Sequence, residues 1–93
     1  MQFDWDPAKA KANLAKHGVS FETAKLVFQD RFAIVEPGDE PSEERLRLIG
    51  MVRNALLFVV FTEQAAADPT VVRLISARQA TKAERRRYEE EES

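Results

Sequence analysis

The sequence predicts an α+β domain, a small antiparallel β-sheet with two N-terminal helices and a C-terminal helix. Three observations lead to this class. Apolar residues recur at helical spacing early in the chain, strand-like segments then follow one another at residues 44–52, 55–62 and 70–77, and a capping sequence opens a last helical segment. Strands with short connections pair antiparallel, and helices grouped apart from strands are typical of α+β domains. We therefore expect the helices on one face of the sheet.

The first elements are indicated by local signals. Residues 2–5 alternate polar and apolar side chains, which predicts a short strand. Asp6 offers an N-cap acceptor and Pro7 suits the first helical position, so we expect a helix from Pro7 to about residue 16. Gly18 follows and can take the left-handed conformation that ends a helix.

The middle of the chain carries a second helix and the connections of the sheet. Ser20 is placed to cap this helix, whose apolar residues at helical spacing are Phe21, Ala24, Val27 and Phe28. A strand at residues 32–35 and a turn at residues 36–39 are expected next. Arg53-Asn54 is short enough to join two strands as a hairpin, whereas residues 63–69 are typical of a longer polar loop.

The last helix begins at a recognisable capping sequence. Thr81-Lys82-Ala83-Glu84 has the T-x-x-E form of a capping box. The helix is polar on almost all sides, so we expect it either to pack weakly on the domain or to complete its packing on a partner. Four consecutive glutamates follow, and we assign residues 1–88 to a single domain and residues 89–93 to an acidic C-terminal tail.

The composition excludes several classes of function. A chain of 93 residues fits one hydrophobic core, and the absence of cysteine excludes disulfides, thiol nucleophiles and cysteine zinc sites. A single histidine argues against a histidine-rich metal centre, so we expect no metal and no cofactor. The longest apolar run, residues 55–61, is too short to span a membrane, and no signal pattern precedes it, so a cytoplasmic location is expected.

The net negative charge of the chain comes from its C-terminal glutamates, and the rest of the chain is slightly basic. The formal charge is -2, but the four glutamates at residues 89–92 supply a quarter of the 16 acidic side chains. Residues 1–88 therefore carry 14 basic against 12 acidic side chains. A basic body is compatible with an anionic partner, which the overall charge alone would argue against.

Five arginines are distributed over the predicted strands. The strand period of two places Arg45 and Arg47 on one face and the leucines that follow each of them on the other. Arg73 is expected on the same, more open face, while Arg78 and Arg53 lie near strand ends. Each guanidinium offers a planar fork of donors, so arginines fixed on a sheet suit the binding of phosphates.

Lys16 and His17 form a second candidate group, at the end of the first helix. Lys9 and Asn13 share their helix face, so a basic groove results if that face borders the arginines of the sheet. His17 is the only histidine, and imidazole is the side chain that exchanges protons most readily near neutral pH.

Both groups also have a purely structural interpretation. Arginines that face Glu44, Glu63 or Asp39 would form surface ion pairs, which are worth about 0–1 kcal/mol each. Lys16 and His17 at a helix C-terminus are stabilised by the helix dipole by roughly 0.3–1 kcal/mol each, with no function required.

Six short segments occur in a defined order along the chain. They are Trp5-Asp6-Pro7, Lys16-His17-Gly18, Glu44-Arg45, Ile49-Gly50, Ile75-Ser76-Ala77-Arg78 and Glu84-Arg85-Arg86-Arg87-Tyr88. Taken together, they resemble the BrnT-type ribonuclease toxins of type II toxin-antitoxin systems. The resemblance extends over residues 3–89, and the ordered set of segments is what makes it specific.

The resemblance implies a RelE-like fold, an RNA substrate and a partner. Toxins of this type are neutralised by a cognate antitoxin, and operator DNA is bound only through that antitoxin. A dimer or a heterotetramer with the antitoxin is the assembly expected. His17, Arg45 and Arg78 match the positions implied for catalysis, and Lys16, Arg47, Arg53 and Arg73 are the expected substrate-binding residues.

The activity we expect is metal-independent RNA cleavage, in which the ribose 2′-hydroxyl attacks the adjacent phosphorus. Arg45 and Arg78 would stabilise the charge that develops on phosphorus, His17 would transfer a proton, and Lys16 would bind phosphate. The sequence offers no cluster of carboxylates that favours Mg²⁺. The alternative is a non-catalytic RNA- or protein-binding module that uses the same basic face of the sheet.

Overall fold

The computed structural model describes residues 1–38, 45–63 and 70–92. In chain order the described residues form β1 (Gln2–Asp4), α1 (Pro7–His17), α2 (Phe21–Ala24), a 3₁₀ helix (Lys25–Gln29), β2 (Ile34–Pro37), β3 (Arg45–Val52), β4 (Ala55–Thr62), β5 (Val71–Gln79) and α3 (Lys82–Glu92). The expected α+β class is confirmed as one five-stranded sheet with three α-helices. No helix in these described ranges is both long enough and apolar enough to cross a membrane.

The sheet has the strand order β1-β5-β4-β3-β2. Strands β2 to β5 pair antiparallel, as expected from their direct succession. Strand β1 pairs with β5 in parallel, with Gln2 opposite Val71, so the expectation of a wholly antiparallel sheet is wrong at this edge. Parallel neighbours require a crossover connection, which here contains α1, α2, the 3₁₀ helix and β2 to β4.

The capping residues that the sequence indicates act as expected at the N-terminal helices. The Asp6 side chain accepts a hydrogen bond from the Ala8 N–H at 2.9 Å, with Pro7 in the first helical position. Gly18 adopts a φ of 72° and donates its N–H to the Leu14 carbonyl at 2.9 Å, ending α1. These local hydrogen bonds fix the end of α1, where Lys16 and His17 lie.

The second helix and the strand after it differ from the prediction. Helix α2 spans a single turn and continues as the 3₁₀ helix instead of one long α-helix. The strand expected at residues 32–35 begins at Ile34, because the Asp30 carboxylate accepts the Phe32 N–H at 2.9 Å and holds that segment in a turn. Residue 39 of the expected turn, residue 44 of the expected strand and residues 64–69 of the expected loop lie outside the described residues.

The main core lies between the N-terminal helices and one face of the sheet. Its most deeply buried side chains come from α2, the 3₁₀ helix and the middle of the sheet, and they include Phe21, Ala24, Val27, Leu57 and Val59. Gly50 allows the 3₁₀ helix to approach β3, since a Cβ atom there would lie 2.9 Å from Leu48 Cδ2 and 3.3 Å from Val27.

Helix α3 packs on the opposite face, so the expectation that all helices share one face is wrong. Tyr88, only 4% exposed, inserts between Ile49, Leu56 and Phe58 and forms a second, smaller core with them. This one aromatic side chain gives an otherwise polar helix its hydrophobic contact. Helix α3 continues to Glu92 and so includes the four glutamates at residues 89–92.

Candidate functional site

Four of the candidate arginines lie on one face of the sheet. Arg45 is opposite Thr62, which is itself opposite Arg73, and residues opposite each other in neighbouring strands share a face. Arg47 is opposite Val60, and Arg78 is opposite Phe58. The leucines that follow Arg45 and Arg47 pack in the main core on the other side, which confirms the two faces predicted for this strand. We call the surface that carries Arg45, Arg47, Arg73 and Arg78 the arginine face.

A β-bulge in β5 brings Arg78 to this face. Leu74 is opposite Phe61 and Ser76 is opposite Val60, so Ile75 is an extra residue in β5 with no residue opposite it in β4. Strict alternation would place Arg73 and Arg78, five positions apart, on opposite faces. The extra residue reverses the alternation once and returns Arg78 to the face of Arg73.

Arg78 is held by α3 and by the strand beside it. Its Nη1 and Nη2 atoms donate to the two carboxylate oxygens of Glu84 at 2.9 and 3.0 Å, and Nη1 also donates to the Gln79 carbonyl at 3.1 Å. Its guanidinium carbon lies 4.1 Å from the centre of the Phe58 ring. The Glu84 carboxylate raises the pKa of the Arg78 guanidinium, which therefore stays charged at every physiological pH.

Glu84 is itself fixed at the start of α3. The capping box expected there is present, because Thr81 Oγ1 accepts the Glu84 N–H at 3.2 Å and the Glu84 carboxylate accepts the Thr81 N–H at 2.9 Å. Burial on its own raises the pKa of the Glu84 carboxyl, but the bonds from Arg78 and Thr81 outweigh it and hold this pKa below its usual value. Glu84 is therefore an ionised partner of Arg78.

A second set of charges joins β2, β3 and α3. Glu36 of β2 lies opposite Arg47, whose Nη2 is 3.6 Å from the Glu36 carboxylate and donates to the Pro37 carbonyl at 3.3 Å. Arg87 of α3 reaches the same carboxylate with both terminal nitrogens. The hydrogen bond from Arg87 lowers the pKa of Glu36 more than its partial burial raises it. Glu36 is thus an anchor for α3 on the arginine face.

Arg45 and Arg73 lie at the other end of the arginine face, in the row that contains Thr62. Arg45 is exposed at the first residue of β3. Arg73 is half-buried, and its Nη1 lies 3.4 Å from both carboxylate oxygens of Asp4 in the neighbouring strand β1. At 3.4 Å these contacts are long for a charge-assisted pair, which leaves the guanidinium able to bind another anion.

Lys16 and His17 lie on the helical side of the sheet, at the end of α1. The amide of Asn13, one turn earlier, donates to the Ala77 carbonyl at 2.9 Å and accepts the Ala77 N–H at 3.1 Å. Asn13 is 7% exposed, so this member of the polar face of α1 is buried and satisfies the backbone of β5.

The hydrogen bonds between Asn13 and Ala77 hold the end of α1, with His17, near the end of β5, with Arg78. Residue Gly18, which follows His17, lines a groove of about 230 Å³ together with Gln79, which follows Arg78. Lys16 is exposed and His17 is half-buried. His17 and Arg78 are therefore at the same end of β5, but on the two sides of the sheet.

Arg53 is not part of the arginine face. It lies in the two-residue turn between β3 and β4 with a φ of 54°, a left-handed conformation that is uncommon for residues other than glycine. Its side chain is exposed and borders an open groove of about 410 Å³ beside Asp30 and Tyr88. The structure therefore separates Arg53 from the other candidate arginines.

The hydrogen bonds that Glu84 and Asp30 form with distant segments were not predicted from the sequence. Glu84 was predicted only as a capping residue, and no contact was predicted for Asp30. The Asp30 carboxylate accepts the Tyr88 hydroxyl at 2.6 Å and the Met51 N–H at 2.8 Å, joining α3 to β3. Burial on its own raises the pKa of Asp30, but these bonds and that from Phe32 hold it below its usual value. No local sequence pattern identifies either partnership.

The arginine face offers fixed, permanently charged donors at spacings set by the sheet. Neighbouring strands are about 4.8 Å apart, and residues two apart along a strand are separated by about 6.6 Å. These spacings are comparable to the distances between successive phosphates of a nucleic acid strand and suit a polyanion better than a single small anion. The face is therefore suited to hold phosphate groups.

Comparison with known proteins agrees with this chemistry. No individual curated protein matches the sequence. Residues 5–84 match the family described as the ribonuclease toxin, BrnT, of type II toxin-antitoxin systems. The matched region contains α1, α2, β2 to β5, all four residues of the arginine face and the Glu84 carboxylate. The chain therefore belongs to the BrnT family of ribonuclease toxins.

Proposed function

We propose that this toxin cleaves RNA at the arginine face, without a metal ion, through attack of the ribose 2′-hydroxyl on the adjacent phosphorus. Membership of the family indicates an RNA substrate and an antitoxin partner. The observation that supports the location is the register of β3, β4 and β5, which gathers Arg45, Arg47, Arg73 and Arg78 on one face.

In this reaction the 2′-oxygen forms a bond to phosphorus and the bond from phosphorus to the 5′-oxygen breaks. The products are a 2′,3′-cyclic phosphate and a 5′-hydroxyl end. The negative charge on the phosphorane oxygens would be stabilised by Arg45 and Arg78, which the sheet holds in advance of substrate binding. Arg47 and Arg73 would bind neighbouring phosphates, with Lys16 at the border of the site. Arg53, at the hairpin turn, would contact the RNA outside the reacting phosphate.

One proton must leave the 2′-hydroxyl and one must reach the departing 5′-oxygen. His17 is assigned one of these transfers, since it is the only histidine and lies at the Arg78 end of β5. Because His17 lies on the helical side, the RNA would have to bend around the end of β5 to reach both His17 and Arg78. A flexible single strand can do this more easily than a duplex.

The wider organisation completes the proposal. We assign the domain to residues 1–88, with a RelE-like arrangement of sheet and helices, and residues 89–93 to an acidic segment. The toxin would act in the cytoplasm. It would form a dimer or a heterotetramer with its antitoxin and would contact operator DNA only through that antitoxin.

The proposal is tested by incubating the purified chain with RNA in the presence of EDTA and mapping the new ends. New 5′-hydroxyl and 2′,3′-cyclic phosphate ends are expected from the wild-type chain. Arg78→Ala is expected to slow cleavage by about 10²–10³-fold, and His17→Ala by about 10²–10⁴-fold.

Arg31→Ala is the matched control, because Arg31 is exposed in the turn before β2, where its guanidinium lies 5.1 Å over the Phe32 ring and outside the arginine face. It should cleave as fast as the wild type. Cleavage that stops in EDTA, or that survives both Arg78→Ala and His17→Ala, would contradict the proposed mechanism.

A second candidate function is a non-catalytic module that binds RNA or an acidic protein segment on the same face. The observation that favours it is that Arg47, Arg73 and Arg78 already have carboxylate partners within the chain. Such a module would retain RNA in a binding assay but produce no new 5′-hydroxyl ends in the cleavage assay. Retention without cleavage would therefore select this function.

A further inference from the structure

We infer that Glu84 is a positioning residue that holds Arg78 so that one edge of its guanidinium faces a phosphodiester of the RNA. This inference rests on the proposed function, because it assigns Glu84 a role only through Arg78. Glu84 lies at the first turn of α3, outside the sheet that carries the arginines.

The hydrogen bonds of Arg78 use three of its five donors. One hydrogen of Nη1 and one of Nη2 point to Glu84, at 2.9 and 3.0 Å, and form the fork at the end of the guanidinium. The other Nη1 hydrogen points to the Gln79 carbonyl at 3.1 Å. The two donors left are Nε–H and the second Nη2–H, and neither has an acceptor among the described residues.

These two remaining donors are neighbours. Nε–H and the outer Nη2–H are parallel on one side of the planar guanidinium and form a second fork, of the kind that binds two oxygens of one phosphate. Glu84 and a phosphate would therefore occupy different edges of the same group. The bonds to Glu84 and Gln79 therefore leave this pair of donors unused.

The position of this second fork is fixed from three directions. The Phe58 ring lies under one face of the guanidinium at 4.1 Å, the Gln79 carbonyl holds Nη1, and Glu84 holds the end. Glu84 is itself fixed by its bond from the Thr81 N–H at 2.9 Å, and its side chain is only 15% exposed. An unconstrained arginine would lose considerable rotamer entropy on binding, which these contacts remove before the substrate arrives.

Glu84→Gln removes the charged fork on Arg78 but keeps the hydrogen bonds of the helix cap. Glutamine retains an oxygen that accepts the Thr81 N–H, and it is equally suited to this position of a capping box. It replaces the second oxygen by an NH₂ group, which repels the guanidinium. Glu91→Gln is the matched control, since Glu91 is an exposed residue of the same helix and undergoes the same change in charge.

The experiment measures single-turnover RNA cleavage and RNA affinity for Glu84→Gln, Arg78→Ala and the double variant, with thermal unfolding of each. Glu84→Gln is expected to lower the cleavage rate constant by about 10–100-fold with less than about a 3-fold change in RNA affinity. In the Arg78→Ala background the same substitution should have no further effect, because Glu84 acts only through Arg78. Glu91→Gln should leave both quantities unchanged.

Each other outcome overturns the inference in a recognisable way. Equal effects of Glu84→Gln with and without Arg78 would show an independent or purely structural role. Tighter RNA binding and faster cleavage would show that Glu84 masks Arg78. A wild-type chain that does not cleave would overturn the proposed function and this inference with it, whereas cleavage that Glu84→Gln retains in full would overturn this inference alone.

Discussion

Replacing Tyr88 by phenylalanine removes a single hydroxyl from the contact between α3 and the sheet. The Tyr88 hydroxyl donates to the Asp30 carboxylate at 2.6 Å, and the ring is 4% exposed among Ile49, Leu56 and Phe58. The ring would remain in place in the variant. The measured effect therefore reports on the hydroxyl, including its charge-assisted hydrogen bond to Asp30.

The size of the effect depends on the hydrogen bonds that the Asp30 carboxylate retains in the variant. A hydrogen bond to a charged group contributes about 1.5–3 kcal/mol, and the lower end applies because the Met51 and Phe32 N–H groups still satisfy the carboxylate. We expect a loss of about 1–2 kcal/mol, which for a domain of this size lowers Tm by roughly 4–16 °C. Tyr88→Ala also removes the ring, and its cost should rise to about 3–5 kcal/mol.

The dependence on pH gives a second, independent check. The folded-state pKa of Asp30 lies below its ordinary value of 3.8, so this carboxylate stabilises the fold above the unfolded pKa, and that contribution is lost as the pH falls through the folded pKa. The gap between wild type and Tyr88→Phe should stay constant near neutral pH and narrow only under acidic conditions below about pH 4.

Urea unfolding followed by circular dichroism, at neutral and acidic pH, measures both quantities. Asp30→Asn and the double variant complete a cycle in which the two substitutions should not be additive. A Tyr88→Phe variant within about 0.3 kcal/mol of the wild type, or a gap that widens in acid, would refute the reasoning.

Four further outcomes are expected. Gly50→Ala should lower the free energy of unfolding by about 1–3 kcal/mol in urea titrations, because its methyl group would meet Leu48 and the 3₁₀ helix. Arg53→Gly should raise the free energy of unfolding by about 0.5–1 kcal/mol by the same measurement, since glycine adopts a φ of 54° without strain. Asn13→Ala should cost about 2–3 kcal/mol, because the backbone groups of β5 lose their partner in a buried site, and faster amide exchange at Ala77 would show it. Arg45→Ala should reduce the slope of log affinity for single-stranded RNA against log salt by about 0.7, measured by titration at several salt concentrations.

The sequence was informative wherever a signal is local. The caps at Asp6, Ser20 and Thr81 use hydrogen bonds within a few residues, and all three are present in the structure. The two faces of β3 follow from strict alternation over eight uninterrupted strand residues. Such features depend on neighbours in the chain, so they can be predicted without knowledge of the fold.

Contacts between distant segments could not be predicted in this way. The parallel pairing of β1 with β5 joins residues about 70 positions apart and leaves no pattern in either segment. Glu84 can reach Arg78 only because α3 covers this face of the sheet. Helix α3 lies there because Tyr88 packs in the second core. The candidate site was therefore predicted as a set of arginines, but not with the carboxylates that hold them.

The bulge at Ile75 makes the length of β5 as important as its composition. Deleting Ile75 would remove the bulge and leave Arg73 and Arg78 four positions apart in a regular strand, still on one face. Adding one residue between Arg73 and Arg78 while the bulge remains would keep every charge of the chain, yet it would turn the Arg78 side chain toward the main core, where an unpaired guanidinium is very costly. A substitution at the same place would not change the face to which each following side chain points. Insertions of one residue in this strand are therefore the sequence changes that would most readily leave a folded sheet without a complete arginine face, even though surface loops commonly tolerate insertions.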